Sequence, residues 1–255
     1  PEFLIWVFLH AVLSCILAIS LYPMWGILVS FYRNQTQTES PKGKSKIARN
    51  LIVNAAIWTI LIFALPGFLT TVYNSFFDPS AYLPRGHTAR VMFIYVFTFL
   101  VVLPALLGIM LIHAAAQKLS AKIAVPDQAK VELFALRHEL LSHRSLLQGY
   151  LFVLGVILSM VTITTAGSRA IFVGLEAEGI DNFPVTHAIL FGLVFTVLLL
   201  LVYAPVHFAL TEASRKLRDS LCPIASMETL KDDMAQRKYL DEILQTNISI
   251  MDNLK

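Results

Sequence analysis

The chain has 255 residues, of which 56% are hydrophobic and 15% charged, with a formal net charge of +3. A soluble domain is about 45–50% apolar and about 25% charged, so the composition argues against a water-soluble domain, and so small a net charge gives nucleic-acid binding no footing. The two cysteines, Cys15 in an apolar run and Cys222 in a polar tail, form neither a disulfide framework nor a CxxC pair.

Taken in chain order, "PEF" at residues 1–3 reads as the remnant of a cleaved fusion tag. Five stretches without Asp, Glu, Lys or Arg follow, at 4–32, 51–74, 91–117, 145–168 and 183–211. About 20 apolar residues suffice to cross a ~30 Å hydrocarbon core. Lipid supplies no partner for backbone N–H and C=O groups, so each stretch is predicted to be a helix. The expected fold is therefore an all-α polytopic integral membrane protein with five transmembrane helices. Pro23, Pro66, Pro104 and Pro205 fall in or beside these stretches and are expected to kink a helix or end it early. Trp25, Tyr32, Tyr73, Phe76, Phe77 and Tyr82 sit where aromatic belts form.

The connections carry the orientation. Segment 33–50 is a basic loop with Arg33, Lys42, Lys44, Lys46 and Arg49, and segment 118–144 carries Lys118, Lys122, Lys130, Arg137 and Arg144. Segment 75–90 holds only Arg85 and Arg90, and segment 169–182 only Arg169. Positive residues stay on the cytoplasmic side, which predicts the N-terminus outside and the C-terminus inside. Lys42, Lys44, Lys46 and Arg49 then act as topology anchors against the second span, with anionic lipid headgroups as a second use of the same charges.

Segment 118–144 is more than a loop. "QKLSAKIA" extends the third span, "VPDQAK" breaks it at Pro126 with Asp127 as the next cap, and "AKVELFALRHELLSHRSLL" is helix-prone up to the fourth span. This predicts a cytoplasmic helical hairpin, whose Val131, Phe134, Leu140 and Leu141 require a cover. The tail, 212–255, is polar and helical, interrupted at Cys222-Pro223. Leu240, Ile243, Asn247, Ile250 and Leu254 recur at spacings of three and four, a short heptad seam with one polar position. The seam reads equally as a self-association surface or as the apolar face of one amphipathic helix.

Constellations with chemistry are sparse. "RHELLSH" holds His138, Glu139 and His143, but HExxH places two histidines four apart and here they are five apart, so no metal site is expected. His10 with His187, and His113 with His207, lie at matching depths of the predicted spans, as the two axial ligands of a membrane haem would. Haem is the one cofactor this pattern makes worth naming. Hydroxyl residues in "SMVTITTAGS" more often mediate helix packing than transport. Glu176, Glu178 and Asp181 read as part of a solvated outer loop with a short helix, with a cation or a periplasmic partner as the other readings. No GxSxG, phosphate loop or nucleic-acid motif occurs, and catalysis is not expected.

The expected partners are the lipid bilayer and further copies of the chain, in the cytoplasmic or plasma membrane. The leading functional expectation is a non-enzymatic, self-assembling membrane protein acting as a pore or channel-like effector or as a transmembrane signal transducer. The alternatives are a sensor module feeding a signalling domain beyond Lys255, a haem-bearing redox protein, and a transporter. The last is disfavoured by the lack of intramembrane charge.

Overall fold

The computed structural model describes residues 2–37, 39–74, 87–123, 130–174, 186–223, 230–244 and 246. Side chains at 2, 3, 62, 63, 65–74, 87–91, 130, 131, 172, 174, 186–188, 190, 191 and 230–232 are outside that description. Among the described residues the regular structure is all α-helix: α1 Glu2–Gln37, α2 Pro41–Asn74, α3 His87–Ile123, α4 Lys130–Gly174, α5 Thr186–Leu221 and α6 Leu230–Leu244.

The first five helices run to 36, 34, 37, 45 and 36 residues. At 1.5 Å per residue they are about 50–68 Å long, well over the ~30 Å of a hydrocarbon core. Among the described residues, four stretches are long and apolar enough to cross a membrane: Leu4–Gln37, Met92–Ile123, Glu132–Ile171 and Gly192–Leu221. The expected second span, 51–74, is also helical, as the greater part of α2.

One local expectation differs from what is observed. The basic segment 33–50 is mostly helix rather than loop. Arg33 belongs to the last turns of α1, whereas Lys42, Lys44, Lys46 and Arg49 ride exposed on the first turns of α2. The reason is local. Ser40 caps α2, its Oγ accepting from the Gly43 N–H at 3.3 Å and its carbonyl accepting from Lys44 N–H at 2.9 Å, with Pro41 in the first helical position. Of the prolines expected to kink or end a helix, Pro23, Pro104 and Pro205 lie inside α1, α3 and α5 and end none of them. At Pro104 the orphaned acceptor is the carbonyl of Leu100, four residues back, and the Trp25 indole Nε1–H donates to it at 2.9 Å.

The chain divides into two compact units, Pro1–Leu107 with Phe152–Leu199, and Gly108–Leu151 with Leu200–Lys255. Helices α3, α4 and α5 each contribute to both. In the first unit α1 meets α4 through Trp6, whose Nε1–H donates to Ser168 Oγ at 2.8 Å. Gly167 permits the approach: a Cβ there would lie 3.3 Å from Leu9 Cδ1. Gly192 of α5 similarly faces Thr162 of α4, whose Cγ2 and Oγ1 would both be 3.1 Å from an added Cβ. The small and hydroxyl residues of "SMVTITTAGS" thus serve packing. Thr162, Thr164, Thr165 and Ser168 each donate to the carbonyl four residues back, which settles their polar groups within the helix.

The second unit is built on buried seams at spacings of three and four. On α4 these are Leu133, Leu136, Leu140, His143, Leu147 and Tyr150; on α5, Tyr203, Val206, Leu210, Ala213 and Leu217. On α3, Ile112, Ala115 and Leu119 continue the pattern from Gly108. Alternating steps of three and four keep one face turned to its neighbours, as in left-handed bundles. Gly108 is the closest approach, since a Cβ there would overlap the ring of the fully buried Tyr150.

Candidate functional site

Polar groups concentrate inside the second unit. Arg144 and Ser214 are both buried, and the Arg144 Nη2–H donates to Ser214 Oγ at 2.9 Å. Ser214 Oγ–H is committed to the Leu210 carbonyl at 2.8 Å, so its oxygen is fixed as an acceptor for the guanidinium. The bond joins α4 to α5 and sets their relative register. One to two turns before Leu210 on α5, Tyr203 OH and His207 Nδ1 are hydrogen-bonded at 2.9 Å, with ring centroids 5.4 Å apart. Both side chains are buried. The two pairs open onto one cleft lined by Arg144, Leu147, Gln148, Leu151, Tyr203, His207 and Leu210. Its inner end has room for about one water molecule, and its mouth is open.

Below the cleft a second polar layer docks α6. Lys216 Nζ donates to Ser120 Oγ at 2.8 Å and pairs with Glu212 at 2.8 Å, tying α5 to α3. Arg218 pairs with Asp241 at 2.8 Å and with Asp219 at 2.9 Å, while Arg237 pairs with the same Asp219 at 2.7 Å. Arg237 Nε–H also donates to the Cys222 carbonyl at 3.0 Å, supplying a partner just past the end of α5. Thr246 N–H and Oγ–H both return to Asp241, closing the end of α6. The buried Leu244 supplies its apolar contact. Exposed ion pairs are worth only about 0–1 kcal/mol each, but here two arginines and two aspartates share partners and fix α6 in one position.

The histidines are placed as follows. His207 lies in the cleft, and His113, on α3 of the same unit, engages Gln117 through Nε2 at 2.9 Å. His10 Nδ1 bonds the Trp6 carbonyl at 3.0 Å and its ring lies 3.9 Å from the Trp6 ring. The side chain of His187 lies outside the described residues. Within "RHELLSH", His143 belongs to the buried seam of α4 whereas His138 is exposed, and no group of three or more metal-ligating side chains occurs among the described residues.

Of the tail seam, Leu240 and Ile243 are half-buried on α6, and Asn247, Ile250 and Leu254 lie outside the described residues. Of the hairpin residues needing a cover, Leu140 is buried and Phe134 exposed. Arg144 and Ser214 were missed in the sequence. The available signal was the 3-4 repeat on α4 and α5, in which Arg144 follows a seam position and Ser214 follows another.

No protein-family model, curated protein or solved structure matches the chain. The class is therefore defined by the fold alone: an all-helical protein with four stretches, among the described residues, long and apolar enough to cross a bilayer.

Proposed function

We infer that this is a non-enzymatic, multi-pass protein of the cytoplasmic or plasma membrane with five spans, the N-terminus outside and the C-terminus inside, and that it works as a transmembrane signal transducer that self-associates. The observation carrying this reading is the continuity of α3, α4 and α5. Each runs unbroken from a charge-free stretch into the second unit, where buried seams and the Arg144–Ser214 bond hold them in one register. A helix is stiff along its axis, so a shift or rotation of a span is delivered to its extension, and a packed layer answers with discrete rearrangement. The pore reading has less support, because the hydroxyls of α4 spend their protons on their own helix. Leu240 and Ile243, half-buried on α6, offer the surface for self-association.

Two measurements test this. In a background lacking Cys15 and Cys222, single cysteines at Lys46 and Arg215 are expected to label only from the cytoplasmic side, and one at Ala170 only from outside. The opposite pattern would sink the topology. In nanodiscs of two bilayer thicknesses, amide exchange in 200–221 and 230–244 is expected to change with thickness. Identical exchange in both would remove the transducer reading while leaving the topology untouched.

A further inference from the structure

We propose that α6 is an electrostatic latch. It docks on the end of α5 through ion pairs, opens as one piece when those pairs are screened, and by opening uncovers the Cys222 thiol. The inference stands on the second unit alone and needs neither the bilayer placement nor the transducer role.

The first ground is what holds α6 down. Leu244 is fully buried, but Met234 and Tyr239 are exposed, and Leu240 and Ile243 only half-buried. The seams of α4 and α5 in the same unit are rows of buried side chains. Hydrophobic stabilisation scales with the apolar area removed from water, so the α6 contact depends on charge where the seams do not.

The second is connectivity. Arg237 and Asp241 lie four residues apart, on one face of α6. Both reach a single turn of chain, 218–222, which the Cys222 N–H closes on the Arg218 carbonyl at 2.9 Å. Arg237 meets Asp219 at 2.7 Å, Asp219 meets Arg218 at 2.9 Å, and Arg218 meets Asp241 at 2.8 Å. Asp219 and Arg218 each serve two partners, so the loss of Arg237 or Asp241 loosens the rest. The four side chains are 16% to 49% exposed, within reach of screening ions.

The third is what α6 covers. Cys222 is buried, while Ser220 and Pro223 on either side of it are exposed. Two groups of α6 meet its thiol: Sγ–H points to the Asp233 carbonyl at 3.6 Å and to Gln236 Oε1 at 3.8 Å. The helix that carries the ion pairs therefore shields the sulfur. Undocking bares the thiol and Leu244 and leaves the seams of α3, α4 and α5 in place.

The test is the alkylation rate of Cys222 in the full chain in detergent, with Cys15→Ser removing the other thiol. N-ethylmaleimide is neutral, so salt acts on the protein and not on the encounter. Its rate follows the population of the open form when opening and closing are fast. At about 0.1 M sodium chloride the folded protein is expected to react far more slowly than the unfolded chain. The rate is expected to rise severalfold at about 1 M, where the screening length has fallen from about 10 Å to about 3 Å. Arg237→Gln is expected to speed labelling about tenfold, the scale of one charge-assisted hydrogen bond. Arg237→Lys, which keeps the charge, is expected to retain most of the protection. Amide exchange around Leu140 on α4 is expected to stay unchanged throughout. The salt series needs no substitution at the latch, so it decides the matter should Arg237→Gln not fold. A thiol as reactive as in the unfolded chain, a labelling rate that salt leaves unchanged, or exchange around Leu140 rising in step with labelling would each overturn the proposal.

Discussion

The Trp25 indole N–H donates to the Leu100 carbonyl at 2.9 Å, and Leu100 is the residue whose carbonyl Pro104 leaves without its helical donor. A tryptophan two residues beyond a proline in α1 thereby supplies what a proline in α3 withholds. In lipid no water would do the same.

Trp25→Phe is expected to destabilise the protein by about 1–3 kcal/mol, the cost of leaving the Leu100 carbonyl without a donor where lipid offers none. In a Pro104→Ala background the restored N–H can reach Leu100, so there Trp25→Phe is expected to cost close to nothing. Thermal unfolding of the four variants in detergent gives the coupling directly. Equal costs in both backgrounds would refute the pairing.

Gly108→Ala is expected to cost about 1–3 kcal/mol, because the Tyr150 ring occupies the place of the new methyl and is itself fully buried. Tyr150→Phe is expected to be neutral or stabilising. Its hydroxyl is buried with no hydrogen-bond partner among the described residues, so removing it removes a desolvation penalty of about 1–3 kcal/mol and breaks no bond seen there. Thermal unfolding distinguishes the two variants by sign.

The two close glycines of the first unit are expected to respond differently. An alanine at Gly167 meets the terminal methyl of Leu9, the far end of a flexible side chain, and is expected to cost under about 0.5 kcal/mol. An alanine at Gly192 meets both branches of Thr162, whose χ1 is restricted and whose hydroxyl is committed to Leu158. It is expected to cost about 1 kcal/mol or more, recovered in part by Thr162→Ser, which removes one of the two crowding atoms. Equal destabilisation at the two glycines would contradict the geometry.

Arg237→Ala removes both the Asp219 pair and the donor to the Cys222 carbonyl. Faster amide exchange is expected across 230–244, with the α4 seam around Leu140 unchanged. High salt is expected to speed exchange in α6 of the wild type in the same direction, since partly exposed pairs are screened. Exchange rising equally in α4 would show that α6 is not a separable layer.

Much of the architecture was legible because a bilayer imposes a one-dimensional rule. Long uncharged runs become helices: the stretches 91–117 and 145–168 fall inside α3 and α4, and 186–211 inside α5. Helix ends were less legible. The basic segment 33–50 reads as a loop by charge, yet Ser40 and Pro41 start a helix at once, and charge does not oppose helix formation when the side chains reach solvent. The tail heptad drew attention to Leu240 and Ile243, while longer 3-4 seams lay on α4 and α5, hidden because a charge-free run looks apolar on every face.

From the sequence alone came the helical class, the apolar stretches and the asymmetry of positive charge, all properties of residues near one another along the chain. Tertiary structure decided the pairings: Trp25 with Leu100, Gly108 with Tyr150, Arg144 with Ser214, Arg218 with Asp241. The partners are 42 residues apart in the Gly108–Tyr150 pair (150 − 108), 70 in the Arg144–Ser214 pair and 75 in the Trp25–Leu100 pair. Which face of one helix meets which face of another depends on how side chains of particular size and shape interlock, and periodicity alone does not specify that match.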